Sequence, residues 1–354
     1  MRRIIFLASI ICLFLSSACY KETTTSAAAN PWDKVELSAI GPIRNMHSGP
    51  NEVLAINDLE FFRIDAENKV IEERAIGLAG FYFGRPAIGD WVFARFIGKQ
   101  NINVVEFHLV RNSESTRDLV VNDIELPNGA SIDFEGTSAK DAGAFNEDAS
   151  QLAFPVQINT PGQPSNMGIV IVDINLNSTK QEFVSVQVKH VVSIPEMSAN
   201  PQTMSNITYI NGAYYVTHQD GGFRITPNGT YDQVVSGWTL DVFAKENKLY
   251  MTSFNSFDFY VSEDNGSSFQ RAGITSPARF VYQADNQYFH QANRGFEYKL
   301  ISDDFEELRD IVYNRAILDQ NDNAAFRNII YMGGRYYVNV QQDIYYLEEI
   351  TLKE

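Results

Sequence analysis

Four arginines and one aspartate are the side chains whose type and spacing could do chemistry. Arg279 and Arg327 each stand seven residues before the second residue of a tight-turn pair, Asn286 and Gly334 respectively. They therefore occupy equivalent places in two units of a repeat. Arg44 and Arg85 occupy comparable segments ahead of two earlier apolar sets. A guanidinium presents a planar fork of N–H donors that fits a carboxylate in a bidentate pair. Several such groups around one opening would form a carboxylate-holding cluster in an otherwise acidic chain. The structural alternative is that these arginines bridge neighbouring units. Asp241 sits on an equivalent segment and is a candidate acid, but one carboxylate is not the pair that glycoside hydrolysis uses. No catalytic residue is assigned.

Other chemistries find little support. The five histidines, His47, His108, His190, His218 and His290, are scattered, with none paired at the spacing of a metal-binding helix. Residues 319–323 begin like a calcium loop, but Ala324 replaces the required Gly and Ile330 stands where the bidentate Glu belongs. There is no Gly-x-Ser-x-Gly and no nucleotide-binding glycine loop. The sequence predicts no metal and no cofactor.

The elements that must position these residues are legible in a repeat. Tight turns at Asn211-Gly212, Glu246-Asn247, Asp285-Asn286 and Gly333-Gly334 each precede an aromatic strand, over residues 213–218, 248–253, 287–292 and 335–340. Turns rich in Asn and Gly supply the positive φ that short hairpins need. All-β units at this spacing predict a β-propeller of four-stranded blades. Earlier strand sets at residues 53–73, 91–121 and 151–186 bring the expected number to seven blades. The last blade runs out of chain after about three strands. Residues 35–40 are expected to supply its outer strand and close the ring. The stretches 126–149 and 193–205 read as long and loop-rich.

Within this frame, Ser262, Asp264, Gly266 and Phe269 match Ser-x-Asp-x-Gly-x-x-aromatic. The pattern resembles the Asp-box of sialidase-like and sortilin-like propellers. Its logic is a turn in which Ser and Asp bond backbone amides, Gly turns left-handed and the aromatic packs between blades. Ser302 to Asp304 and Thr226 to Tyr231 resemble degenerate copies on the flanking blades. The resemblance implies a structural role for these boxes. A sialidase would also need three arginines, an acid Asp, and a Tyr nucleophile supported by Glu. The family's Arg-Ile-Pro signature is absent near the first blade, and Arg224-Ile-Thr-Pro227 is interrupted. With 17 tyrosines, no single one stands out as a nucleophile.

The N-terminus carries Arg2-Arg3, an apolar run over residues 4–15, and Ser16-Ser17-Ala18 before Cys19. The run is shorter than the roughly 20 residues that span a bilayer, so it reads as a secretory signal. The small residues before Cys19 resemble the lipobox of bacterial lipoproteins, with Leu15 one place further from the cysteine than that family's usual Leu. The resemblance implies cleavage after residue 18, lipid attachment at Cys19, and several acyl chains for stable anchoring. Cys12 would leave with the signal, so no internal disulfide is possible. Residues 19–34 are mostly small and polar and read as a flexible tether, with the propeller over 35–354. The net charge of -16 becomes -18 once Arg2 and Arg3 are removed. A field of that sign repels nucleic acid and anionic headgroups.

The expected protein is thus a lipid-anchored, extracytoplasmic propeller at the outer membrane of a Gram-negative bacterium, on its periplasmic or surface face. It is expected to bind a glycan or an envelope protein. The alternatives are a divergent sialidase-like glycoside hydrolase using Arg279 and Arg327, and an accessory subunit of an outer-membrane assembly.

Overall fold

The computed structural model describes residues 32–57, 59–75, 82–87, 90–99, 102–110, 115–133, 143–179, 181–199, 204–254, 258–275, 280–292, 297–313 and 326–353. The side chains of residues 82–87, 90, 97–99, 102, 275, 292, 297, 326 and 327 fall outside that description.

The chain folds into seven antiparallel sheets, the blades of a β-propeller. Strand β1 is Asp33–Lys34. Blade 1 holds β2 (Asn45–Ser48), β3 (Glu52–Ile56), β4 (Glu60–Asp65) and β5 (Val70–Ala75). Blade 2 holds β6 (Tyr82–Ala87), β7 (Asp90–Lys99), β8 (Ile102–Leu109) and β9 (Thr116–Val120). Blade 3 holds β10 (Ser131–Asp133), β11 (Ala144–Phe145), β12 (Gln151–Asn159), β13 (Asn166–Leu176) and β14 (Phe183–Ser198). Blade 4 is β15 (Met204–Ile210), β16 (Ala213–His218), β17 (Gly221–Ile225) and β18 (Tyr231–Ser236). Blade 5 is β19 (Thr239–Lys245), β20 (Lys248–Ser253), β21 (Asp258–Ser262) and β22 (Gln270–Thr275). Blade 6 is β23 (Val281–Ala284), β24 (Gln287–Ala292), β25 (Glu297–Ile301) and β26 (Leu308–Asp310). Blade 7 is β27 (Phe326–Met332), β28 (Arg335–Val340) and β29 (Asp343–Leu347), completed by β1.

The innermost strands meet in an unbroken circle: β2 touches β6, β6 touches β11, and the contacts continue through β15, β19, β23 and β27 back to β2. Burial follows the same sevenfold plan. Each of seven apolar clusters fills one seam between neighbouring blades. Successive residues of a strand point to opposite faces, so the aromatic pairs divide between seams. Tyr214 packs toward blade 3 and Tyr215 toward blade 5. Tyr336 joins the cluster shared with blade 6, and Tyr337 the cluster shared with blade 1.

The hairpin turns match their sequence. Asn211-Gly212 and Gly333-Gly334 have both residues at positive φ, as a type I′ turn requires. At the other two turns, Glu246 and Asp285 take the positive φ (56° each).

An N-terminal strand closes the ring, but it is not residues 35–40. Asp33 pairs with Tyr346 and Lys34 with Tyr345. Val35 adds one bond, its N–H donating to the Ile344 carbonyl at 2.9 Å. The segment after it must carry the chain from the outer rim back to the centre of blade 1, so it cannot continue along β29. The propeller therefore begins by Trp32, and the tether expected through residue 34 loses its last three residues to the fold. Trp32 is 1% exposed. Its ring stacks on Tyr313 at 5.6 Å, and its indole N–H donates to the Val312 carbonyl. The C-terminal tail grips the same place: Val312 N–H donates to Thr351, and Lys353 N–H to Asp310.

Three further differences from the sequence reading concern blades 1 to 3. Their innermost strands, β2, β6 and β10 with β11, were not expected. In blade 3 that position is divided, since β10 and β11 both pair with β12 at different points along it. Residues 193–198 do not belong to a loop but complete β14, a 16-residue outer strand with three register shifts against β13. No α-helix occurs among the described residues, and none of their helices is long and apolar enough to cross a membrane.

Candidate functional site

The innermost strands of blades 4 to 7, with the β11–β12 turn of blade 3, enclose a cavity of about 730 Å³. That is an ordinary size for a small-ligand site. One repeated position builds much of its wall. Asn206, Asp241, Phe280 and Asn328 each precede the second residue of their hairpin turn by six places, and all four line the cavity. In β15, β19 and β27 the pairing slips around this position. Such a bulge re-aims a side chain out of the regular ladder.

Asp241 is 6% exposed and ties three blades together. Its Oδ1 accepts from Asn206 Nδ2 at 3.1 Å and from the Val242 N–H at 2.8 Å. Its Oδ2 accepts from the Val281 N–H of blade 6 at 2.8 Å. Burial pushes the carboxyl up to about 6, against the downward pull of those three donors. Across the last seam, Asn45 Oδ1 accepts from Asn328 Nδ2 at 3.0 Å and from the Met46 N–H at 2.9 Å. Glu147, Tyr209, Tyr282 and Gln283 add further polar and aromatic wall. Burial, then the charges of Glu147 and Asp148, raise the Tyr209 hydroxyl above its ordinary range. Burial, then the Asp241 charge, does the same at Tyr282.

Of the five candidate ligand-binding residues, Asp241 is placed in the wall. Arg44 is half-buried on the segment leading into β2, its N–H bonded to the Ile56 carbonyl at 2.7 Å. Arg85 lies in β6 opposite Val92, and Arg327 lies in β27 next to Asn328, but both side chains fall outside the described residues. Arg279 lies outside them altogether, as does the stretch 319–323. Sequence reasoning missed Asn206, Phe280 and Asn328. The six-residue offset that they share with Asp241 was the signal that could have found them.

The turn over residues 262–269 joins the third and fourth strands of blade 5 and contributes nothing to the cavity wall. Ser262 Oγ donates to Asp264 Oδ1 at 2.7 Å and accepts from the Gly266 N–H at 2.7 Å. Asp264 accepts from the hydroxyl and the N–H of Ser268. Those bonds, with the one from Ser262, hold its carboxyl down at about 2. Gly266 has a φ of +79°. Phe269 meets Tyr215 of blade 4 edge-on, and Tyr215 Oη donates to the Asn265 carbonyl.

His108 and His218 are held below the ordinary imidazole range, by burial first in both cases. No group of three or more metal-ligating side chains occurs among the described residues.

No family model and no curated protein matches this sequence. Solved structures do. The extracellular domain of a putative hybrid two-component system from B. thetaiotaomicron is 11% identical, with a TM-score of 0.51, over 90% of this chain and 40% of that one. A second such domain from the same organism is 9% identical, with a TM-score of 0.51, over 90% and 41%. PorZ, a surface component of the type-IX secretion system of Porphyromonas gingivalis, is 10% identical, with a TM-score of 0.49, over 91% and 39%. The chain thus spans about two fifths of the length of these structures. At such identities the likeness shows the fold alone.

Proposed function

We propose that this protein is a lipid-anchored binding module of the bacterial cell envelope that receives a glycan or a protein partner at the axis of its propeller. The observation that carries this reading is the cavity itself. Four innermost strands bring amides, a carboxylate and aromatic rings to one concave wall, the composition that holds a polar ligand. Lipid attachment at Cys19 and the Asp-box character of residues 262–269 are part of the same proposal. They are supported by the sequence pattern and, for the turn, by its hydrogen bonds. The two B. thetaiotaomicron domains of similar fold are extracellular, in keeping with an envelope location.

The hydrolase alternative is less well supported. Both oxygens of Asp241 are engaged by strands of blades 4, 5 and 6, so its carboxylate is committed to architecture.

One experiment with two arms tests the reading. The protein is recovered from membranes and passed over a broad glycan panel, and both retention and mass change of each glycan are read. Retention without mass change is the expected result, and cleavage would make the protein an enzyme. A Cys19→Ser variant is expected in the soluble fraction with the same retention. Its persistence in the membrane would refute the anchor.

A further inference from the structure

We infer that β14, the outer strand of blade 3, takes up an extended basic segment of a partner protein as an additional strand. The site lies at the rim of the propeller. It does not depend on the axial cavity, so the two readings stand or fall separately.

In every blade the outermost strand has a sheet neighbour on one side only. Six of these outer strands have six residues or fewer, whereas β14 has 16. A long edge presents a row of N–H and C=O groups to any chain that can pair with it, and natural proteins shorten or charge such edges. β14 is tied to other blades at its two ends. The Phe183 N–H donates to Ser115 Oγ at 3.0 Å, and the Phe183 carbonyl accepts from Arg117 at 3.2 Å. The Ser198 N–H donates to Asp220 Oδ2 at 2.9 Å. Between those ties, the backbone of residues 184–197 pairs with β13 alone among the described residues. Pro195 blunts only the far end. Val184, Val186, Val188, Val191 and Val192 give the remainder a strong preference for extended backbone, and Val184 is 62% exposed. The one lysine of the strand, Lys189, turns to Asp173 of β13 at 3.4 Å and leaves the edge unguarded.

The groove beside this edge says what kind of segment fits. It has a volume of about 540 Å³ and lies between β14 and the stretch of blade 2 that runs from β9 to residue 125. Leu119, Ile124 and Val188 supply apolar wall, and Asp118, Asp123 and Glu125 supply carboxylates. All three acids are exposed, and no basic side chain lines the groove among the described residues. An added strand directs every second side chain to one face of the sheet. On the groove side, lysine or arginine would lay its methylene stem on the apolar wall and its charge against the carboxylates. Main-chain pairing with β14 would supply affinity, and the groove would supply specificity. A second copy of this chain, at a net charge of -16, would be repelled, so the occupant is a basic segment of a different protein.

The test titrates the full mature protein with three octapeptides. One alternates Lys and Val, one alternates Glu and Val, and the third is the Lys-Val peptide N-methylated at every residue, which keeps the charge and loses every N–H donor. The Lys-Val peptide is expected to bind at least tenfold more tightly than either of the others. Hydrogen exchange of the complex is expected to show new amide protection within residues 184–194 and at no other outer strand. The double variant Asp123→Asn with Glu125→Gln, both at exposed positions, is expected to weaken Lys-Val binding at least threefold with the melting temperature unchanged. Absence of Lys-Val binding would overturn the inference. Equal binding of the N-methylated peptide would also overturn it, because charge alone would then explain the contact. Protection at another strand would do the same. Protection of residues 184–194 that rises with protein concentration in the absence of peptide, together with a dimer in sedimentation, would give the edge to a second copy and overturn the assignment to a basic partner.

Discussion

Asp241 shows how one side chain can hold several blades together at an electrostatic cost. Its three N–H donors satisfy the carboxylate, yet burial holds the group at about 6 rather than its ordinary 3.8. Between those values the folded state binds more protons than the unfolded chain. The contribution of this group to stability is therefore fully present below about 4, falls as pH rises toward 6, and stays low above that. The swing is on the order of 3 kcal/mol. The melting temperature should accordingly lose part of its value between pH 4 and pH 6.5, and Asp241→Asn should flatten that part of the curve. The variant should also be less stable at every pH below neutrality, because its amide would bring an N–H toward the Val281 N–H that now donates to Oδ2. Parallel curves for the two proteins would show that Asp241 is not the titrating group.

At the scale of the element, the hairpins of blades 4 to 7 were legible because local chemistry dictates them. Turn residues able to take positive φ stand next to strands whose aromatic residues have a seam on either side. The innermost strands of blades 1 to 3 lacked both signals. β2 is short and polar, β6 contains Gly84 and Pro86, and the first position of blade 3 is divided between β10 and β11. What specifies them is pairing with β3, β7 and β12, contacts that no local pattern announces. The cavity was legible only in part for the same reason. Asp241 was visible as a carboxylate on an inner strand, whereas Asn206 and Asn328 gain their meaning from bulges. The turn of residues 262–269 gives a test at this scale. A Cβ at Gly266 would overlap the Tyr215 hydroxyl, in a backbone conformation that side chains rarely adopt. Gly266→Ala should cost about 1–3 kcal/mol of unfolding free energy, measured by denaturant titration, and leave ligand retention unchanged. Retention lost at unchanged stability would give this turn a direct part in binding.

The whole molecule is a ring locked where its two ends meet. β1 completes blade 7, Trp32 is wedged against Tyr313, and the C-terminal tail bonds to Asp310 and Val312 of blade 6. Closure at this point joins residues about 310 apart in sequence, so it depends on contacts that form late and slowly. The closed ring also holds four innermost strands in fixed relation around the cavity, and the central claim is that this axial space meets the ligand. The most direct measurement compares the wild-type protein with Thr208→Trp on the glycan panel. Thr208 lines the cavity from β15 and is only partly buried, so a large ring there would take up part of that space. The account predicts that at least one glycan retained by the wild-type protein is lost by the variant, with cooperative thermal unfolding preserved. Equal retention by the two proteins of every glycan that the wild-type protein holds would contradict it, and retention of no glycan by either would turn the test to protein partners.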